Sequence, residues 1–458
     1  MKKKFTLAFI ACALLAASLS VLAFGSNKSS MAQNNDRERQ EISRSYWGYG
    51  EQQFNAGVLQ FAPNKSFSAL EMQDMVNTTS NGAGRANCVG ALMLYGKSDA
   101  ESINALNIVI PQEHLEIIVD GASNSLIYQL GLYYPLGSVL FTSPEAINQL
   151  NAEGDYVLTM KKLNPATLSG EAAKLDVRMA IQVDMTINGQ PLKLLKDQLL
   201  LQIPFVKAAD EDSEKLCVFN VGTDGTLTPI RNSAYVTNRN QLDVGETTGM
   251  QFLTNNTGVF VIAHVENAFT DVSGWYESYA DFIAARDLMP MVSDKVFAAN
   301  TYITRSEFAH ILANLSNYEL PVPSNTVFSD VNHDDKYATA IYWAYSSGVI
   351  NGFEDGTFRP GANITRQELA AMLCRYVDLI ANTHLPMTVA KIAYNDDDKI
   401  AAFAKSSVDY LSEAGVLAGK GNNYFAPLAN TTRAECAKMI AVISQSIKEG
   451  KASFVDAK

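Results

Sequence analysis

Three arginines stand where a helix should begin, each followed two positions later by a glutamate: Arg305-Ser306-Glu307, Arg366-Gln367-Glu368 and Arg433-Ala434-Glu435. Thr304, Thr365 and Thr432 precede them. Threonine three residues before glutamate is the capping-box pattern: the hydroxyl accepts the N3 backbone N–H, and the glutamate reaches back to the N-cap N–H. A cation in the first helical turn opposes the helix dipole at a cost of about 0.3–1 kcal/mol, so keeping it three times asks for a second role. A guanidinium beside a helix N-terminus suits a carboxylate or a phosphate. Little else offers chemistry. There is no Gly-x-Ser-x-Gly, His-Glu-x-x-His or Gly-x-x-x-x-Gly-Lys motif. The five histidines, His114, His264, His310, His333 and His384, are scattered, and His310 reads as a satisfied or solvated helix residue. Asp330-Val331-Asn332-His333-Asp334 imitates the start of an EF-hand loop, but no glycine occupies loop position 6 and Ile341 stands at position 12. Asp396-Asp397-Asp398 reads as a solvated, helix-capping cluster. No metal and no cofactor is expected.

Each arginine opens an amphipathic helix. The apolar faces are Phe308, Ile311, Leu312, Leu315; then Leu369, Met372, Leu373, Tyr376; then Cys436, Met439, Ile440, Ile443. The copies recur roughly 60 to 70 residues apart, the mark of a supersecondary unit in tandem. Upstream lie Phe269-Thr270-Asp271-Val272 with Trp275, Phe328-Ser329-Asp330-Val331, and the weaker Tyr394-Asn395-Asp396-Asp397. The second copy adds Gly348-Val349-Ile350-Asn351-Gly352 and Asp355-Gly356-Thr357-Phe358-Arg359-Pro360. The third adds Gly415-Val416-Leu417-Ala418-Gly419 and Tyr424-Phe425-Ala426-Pro427. In the first, LMPMVSDKVFAANTY (288–302) replaces the glycine-rich loop.

Together these segments resemble S-layer homology (SLH) domains. The resemblance implies three repeats, at 266–325, 326–390 and 391–458, forming an all-α bundle with a pseudo-threefold arrangement and grooves between repeats. Each groove would receive an arginine, an aspartate and an aromatic residue, with glycines letting a ligand approach the backbone. Carried onto this chain, that names Arg305, Arg366, Arg433, Asp271, Trp275, Asp330, Gly352 and Gly419. The implied ligand is a secondary cell-wall polysaccharide, or another anionic wall glycan, ending in a ketal-pyruvylated amino sugar. Its carboxylate suits a bidentate arginine, and Trp275 could stack on the sugar face. The first loop lacks its glycines and no tryptophan follows Asp396, so one or two competent grooves are expected.

The chain begins Met1-Lys2-Lys3-Lys4 and continues apolar to about Phe24, which reads as a secretory signal peptide over 1–23. A polar, flexible linker is expected over 24–45. The formal charge of −12, spread over the chain, argues against nucleic acid or an anionic membrane as partner, and no membrane association is expected after signal cleavage. Beyond Cys12, four cysteines remain: Cys88, Cys217, Cys374 and Cys436, with no zinc-like spacing. Cys374 and Cys436 occupy helical slots of small buried hydrophobes, and nothing requires a disulfide.

Residues 46–265 form the remaining expected domain, a β-rich, sandwich-like stalk or display module. Its first part, to about residue 105, gives a poor signal, with a short helix in SALEMQDMVNTT and an apolar segment over 86–95. Short apolar runs then appear at 107–111, 115–119, 125–130, 137–141, 156–160, 176–187, 199–205, 216–221, 226–230, 250–253 and 259–265. Asn188-Gly189 marks a hairpin turn, and 143–150 reads as a short helix. Many short strands imply an antiparallel sandwich. The whole reads as a non-catalytic, exported, S-layer-associated surface protein anchored to the cell wall, with self-association in a surface layer as a further partnership. The alternative is a wall-anchored glycan or peptide hydrolase with a carboxylate pair somewhere in 46–265.

Overall fold

Among the described residues, strands predominate from Gln53 to His264 and helices from Glu277. The computed structural model describes residues 53–61, 88–96 and, with short gaps, 104–453, plus a few positions between 69 and 76. The expected signal peptide, the linker and Cys12 lie outside the described residues, as does the side chain of Cys88.

The strands build two seven-membered sheets. In the first, the spatial order is β1 (Gln53–Phe61), β2 (Cys88–Gly96), β4 (Gln129–Tyr134), β5 (Gly137–Phe141), β9 (Leu199–Pro204), β13 (Gly249–Thr254) and β12 (Ala234–Val236). In the second it is β11 (Leu227–Pro229), β10 (Leu216–Val221), β14 (Gly258–His264), β7 (Asp176–Ile187), β6 (Tyr156–Leu163) and β3 (Ala105–Ile110), with β8 (Gln190–Pro191) paired to β7. Because side chains alternate along a strand, one face of each sheet is apolar. Val139, Phe141, Leu199, Leu201, Met250 and Phe252 from the first sheet share a core with Leu158, Met160, Val183, Leu216, Phe260 and Ile262 from the second. Asn188 and Gly189, at φ 49° and 72°, make the expected turn between β7 and β8.

Two expectations are corrected. The arrangement is not wholly antiparallel: β1 pairs with β2, and β2 with β4, in parallel. Parallel neighbours need a long crossover, and between β2 and β4 the chain runs through β3 in the other sheet and a helix. That helix is the second correction. Residues 115–119, expected as a strand, lie inside α1 (Gln112–Ser123). Pro111 stands at its N-cap, and Leu115, Ile118 and Ala122 are buried at helical spacing. A five-residue apolar run does not by itself distinguish the two periods. The expected short helix is present as α2 (Pro144–Asn148), capped by the Ser143 hydroxyl, which accepts from Ala146 N–H.

The helical region comprises α3 (Glu277–Ala285), α4 (Arg305–Ser316), α5 (Ala338–Ser346), α6 (Arg366–Tyr376), α7 (Lys405–Glu413) and α8 (Arg433–Ser453). The apolar faces anticipated for α4, α6 and α8 are all buried in one core that draws on every helix, each large side chain contributing about 1.5–3 kcal/mol of transfer free energy. Cys436 is buried as expected, whereas Cys374 is only half-buried because it faces Asp378 at the helix margin. Arg286 joins the two regions. This residue, fully buried after α3, donates from Nε to Ser233 O at 2.7 Å and from Nη2 to Leu216 O at 2.5 Å. Its Nη1 donates to Glu214 O at 3.2 Å. A buried guanidinium satisfied by backbone carbonyls of one region while rooted in the other fixes their joint.

Candidate functional site

The helix starts show what holds the three repeats together. α4 and α6 each carry a full capping box, with Thr304 and Glu307, and Thr365 and Glu368, exchanging bonds. At α8, Glu435 N–H donates to Thr432 Oγ1 at 3.3 Å and Thr432 N–H to Glu435 Oε2 at 3.2 Å. The N1 and N2 amides, which a helix leaves unsatisfied, reach into the next repeat. Arg305 N–H donates to Ala362 O, Arg366 N–H to Ala429 O, and Arg433 N–H to Thr301 O, at 2.9, 3.0 and 2.9 Å. Ser306, Gln367 and Ala434 donate to Pro360, Pro427 and Ala299 in the same cyclic sense. Just before the caps, Ile364 N–H donates to Ile303 O, Thr431 N–H to Ile364 O, and Ile303 N–H to Thr431 O, at 3.0, 3.0 and 3.1 Å, closing a triangle. The helix N-termini therefore spend their amides on protein acceptors.

The arginine side chains follow the same cycle. Arg305 Nε donates to Phe358 O at 2.9 Å, Arg366 Nε to Phe425 O at 2.8 Å, and Arg433 Nε to Phe297 O at 2.7 Å. Arg305 Nη1 meets Glu368 Oε1 at 3.0 Å, and Arg366 Nη2 donates to Ala418 O at 2.5 Å. Arg433 Nη2 donates to Pro290 O at 2.8 Å. All three arginines are buried. Burial pulls each guanidinium pKa down, and the glutamate of the next repeat in the ring (Glu368, Glu435 or Glu307) pushes back.

The aspartates grip the other side of the same peptides. Asp271 accepts from Phe297 N–H at 2.9 Å and Ala298 N–H at 2.7 Å. Asp330 accepts from Phe358 and Arg359, and Asp396 from Phe425 and Ala426, all at 2.8 Å. Ala298, Arg359 and Ala426 sit at φ 58°, 59° and 58°, a left-handed conformation that costs a non-glycine residue. The carboxylate stabilises it, and the Phe297 N–H in turn holds Asp271 below the usual carboxylate range. So each of three phenylalanines has its N–H side clasped by its own repeat's aspartate and its C=O by the preceding repeat's arginine.

The expected site residues thus sort into three corners. Arg305 meets Asp330 and the Phe358 turn; a Cβ on Gly352, at φ 72°, would strike the Phe328 ring there. Arg366 meets the Phe425 turn beside Gly419, where a Cβ would lie 2.8 Å from Tyr424 O. Arg433 meets Asp271 and the Phe297 turn, and Trp275 stands at the rim, 58% exposed. The two glycines are required by packing within their own repeats. Sequence reasoning passed over two residues. Lys438, on α8, places its Nζ 6.0 Å from the centre of the Trp275 ring, at the limit of a cation–π contact. Phe403, 54% exposed, stands two residues before α7 as Trp275 stands two before α3, so the third repeat does present an aromatic. In the second repeat that slot holds Lys336. Position relative to the helix start, rather than distance from Asp396, was the signal that could have found Phe403. Among the described residues, no group of three or more His, Cys, Asp or Glu could hold a metal ion.

Comparison with known proteins agrees with this geometry. Residues 268–309, 327–370 and 393–437 each match the S-layer homology domain, so the chain carries three of them. It is 32% identical over 177 residues to an amylopullulanase of Thermoanaerobacterium thermosulfurigenes, covering 38% of this chain and 9% of that protein. It is 32% identical over 174 residues to exoglucanase XynX of Acetivibrio thermocellus, covering 38% and 16%. A cellulosome-anchoring protein of A. thermocellus is 27% identical over 158 residues, 34% of each chain. This chain therefore spans only a small part of the first two relatives, and the matched share is that of the three domains. S-layer homology domains indicate anchoring at the cell wall, which places the protein among exported proteins of the cell surface.

Proposed function

We propose that this chain, with its three S-layer homology domains, is a non-catalytic surface protein that holds an anionic secondary cell-wall polysaccharide and displays its β region outward. The division into 46–265, 266–325, 326–390 and 391–458 belongs to the same reading, as do a sandwich of two facing sheets and a pseudo-threefold ring. Its main support is the corner where Trp275 lies exposed beside Lys438 while the arginine beneath is already bonded. A flat aromatic next to an ammonium suits a sugar face carrying a carboxylate. In this reading Arg305, Arg366 and Arg433, with Asp271, Asp330, Gly352 and Gly419, shape the corners, and the exposed rim makes first contact. Phe403, the exposed aromatic in the equivalent slot of the third repeat, forms the second candidate rim. The pyruvylated end group is the finer part of the proposal. The hydrolase reading draws only on relatives whose matched share is that of the domains.

The test uses the mature chain and purified wall polymer, before and after removal of pyruvyl groups. Trp275→Ala and Lys438→Glu should each weaken binding about tenfold, equivalent to roughly 1.4 kcal/mol, with unchanged thermal melting. Binding indifferent to both variants and to pyruvyl removal would defeat this proposal.

A further inference from the structure

The two sheets end differently on their two sides. β11 and β12, the edge strands at one end of each sheet, have three residues each, and β11 closes on Pro229. Short strands and proline are common ways of blunting an edge against pairing with another chain. The opposite edges are β1, with nine residues, and β3, with six (ALNIVI), and neither contains a charged residue. β3 carries no charge, no proline and no bulge.

The register shows which of its groups face outward. Lys162 N–H donates to Asn104 O at 2.7 Å, and the pairing with β6 continues from Ala105 opposite Lys161 to Ile110 opposite Tyr156. Antiparallel partners alternate between bonded and non-bonded pairs, so Leu106, Ile108 and Ile110 share the parity of Asn104 and bond to β6. The N–H and C=O groups of Ala105, Asn107 and Val109 then point away from the sheet. These three residues are exposed, and Ile108 and Ile110 are buried.

We propose that this edge is an interaction surface for a second copy of the chain, paired antiparallel across a twofold axis at Asn107. The register is self-complementary: Ala105 lies opposite the partner's Val109, and Asn107 opposite its own counterpart. Three bonded pairs exchange six backbone hydrogen bonds and extend the second sheet across the axis. Asn107 Oδ1 accepts from the Thr159 hydroxyl at 3.1 Å and keeps a second lone pair for the partner's Asn107 Nδ2, and β3 itself carries no charge. Isologous pairing of this kind closes on itself as a dimer. It uses none of the residues of the proposed wall-binding corners, so it stands or falls independently of them.

Sedimentation velocity of the mature chain over a concentration series tests the proposal. The wild type should dimerise. Asn107→Lys and Asn107→Glu, each setting like charges against each other on the axis, should raise the dissociation constant at least about tenfold. An equal mixture of the two should recover dimers, because opposite charges then meet. Thermal melting and polymer binding of both variants should match the wild type, which separates a lost interface from a lost fold. A wild type that stays monomeric to roughly 100 µM, a dimer unaffected by Asn107→Lys, or a mixture that fails to recover would each overturn it.

Discussion

Replacing Arg366 with alanine should unfold the ring before it reveals anything about ligands. Arg366 is 3% exposed. Its Nε and Nη2 satisfy Phe425 O at 2.8 Å and Ala418 O at 2.5 Å, and Nη1 lies 4.0 Å from Glu435 Oε1. Truncation leaves two carbonyls without their donors, at about 1–3 kcal/mol each when buried. It also removes the guanidinium from the Phe425 ring, 4.8 Å away. Glu435 keeps Lys420 at 2.7 Å, so its charge is not stranded. The net loss should be about 3–5 kcal/mol, a large share of the 5–15 kcal/mol typical of a domain. Arg366→Lys should recover little, since one ammonium cannot span two carbonyls set for a planar fork. The assay is urea unfolding followed by near-ultraviolet circular dichroism. A loss under about 1 kcal/mol, the scale of one exposed pair, would refute the claim that this arginine is a clasp. Loss of wall binding in such a variant would say nothing about direct ligand contact, so the rim residues make the cleaner probes.

Two further outcomes follow from the same turns. Gly352→Ala should destabilise by about 2 kcal/mol or more, because the residue needs φ 72° and its Cβ would meet the Phe328 ring and Thr357 O; an unchanged urea midpoint would contradict this. Asp355 titrates at about 2, below its ordinary 3.8, held there first by the Thr357 hydroxyl and then by Arg359. A depressed carboxylate contributes stability above its unfolded pKa and loses it as pH falls through the folded one. Asp355→Asn should therefore flatten the fall in melting temperature between about pH 4 and pH 2, and an unchanged slope would count against it.

Much of the helical region was legible because its signals are local. Thr-Arg-x-Glu announces both a cap and a face, and Phe308, Leu369 and Cys436 fall at equivalent buried positions. The role of the arginine was not legible. Its carbonyl partners, Phe358, Phe425 and Phe297, lie 53 and 59 residues ahead or 136 behind, and nothing in a linear pattern says that the third repeat closes on the first. The β region shows the same limit. Gly137–Phe141 and the Asn188-Gly189 turn read correctly from residue type, whereas the parallel pairing of β2 with β4 depends on a crossover that periodicity does not encode. Residues 115–119 misread because five apolar-rich positions fit either period.

The three corners separate closure from recognition. The peptide of Phe297, Phe358 or Phe425 is clasped by aspartate and arginine with bond lengths that differ by no more than about 0.2 Å. The same aspartate and arginine Nε clasp recurs at each joint between repeats. The rim shows no such recurrence. Trp275, Lys336 and Phe403 occupy one slot, and His310, Ala371 and Lys438 another, five residues beyond each arginine. Ala371 is buried, and His310 is half-buried, with Asn314 Nδ2 at 3.0 Å from its Nε2. At the corner between the third and first repeats, the ammonium of this second slot, Lys438, lies within 6.0 Å of the exposed Trp275 ring. On the reading proposed here, the residues that recur mark how the ring is held, and the residues that differ mark where it would touch the wall.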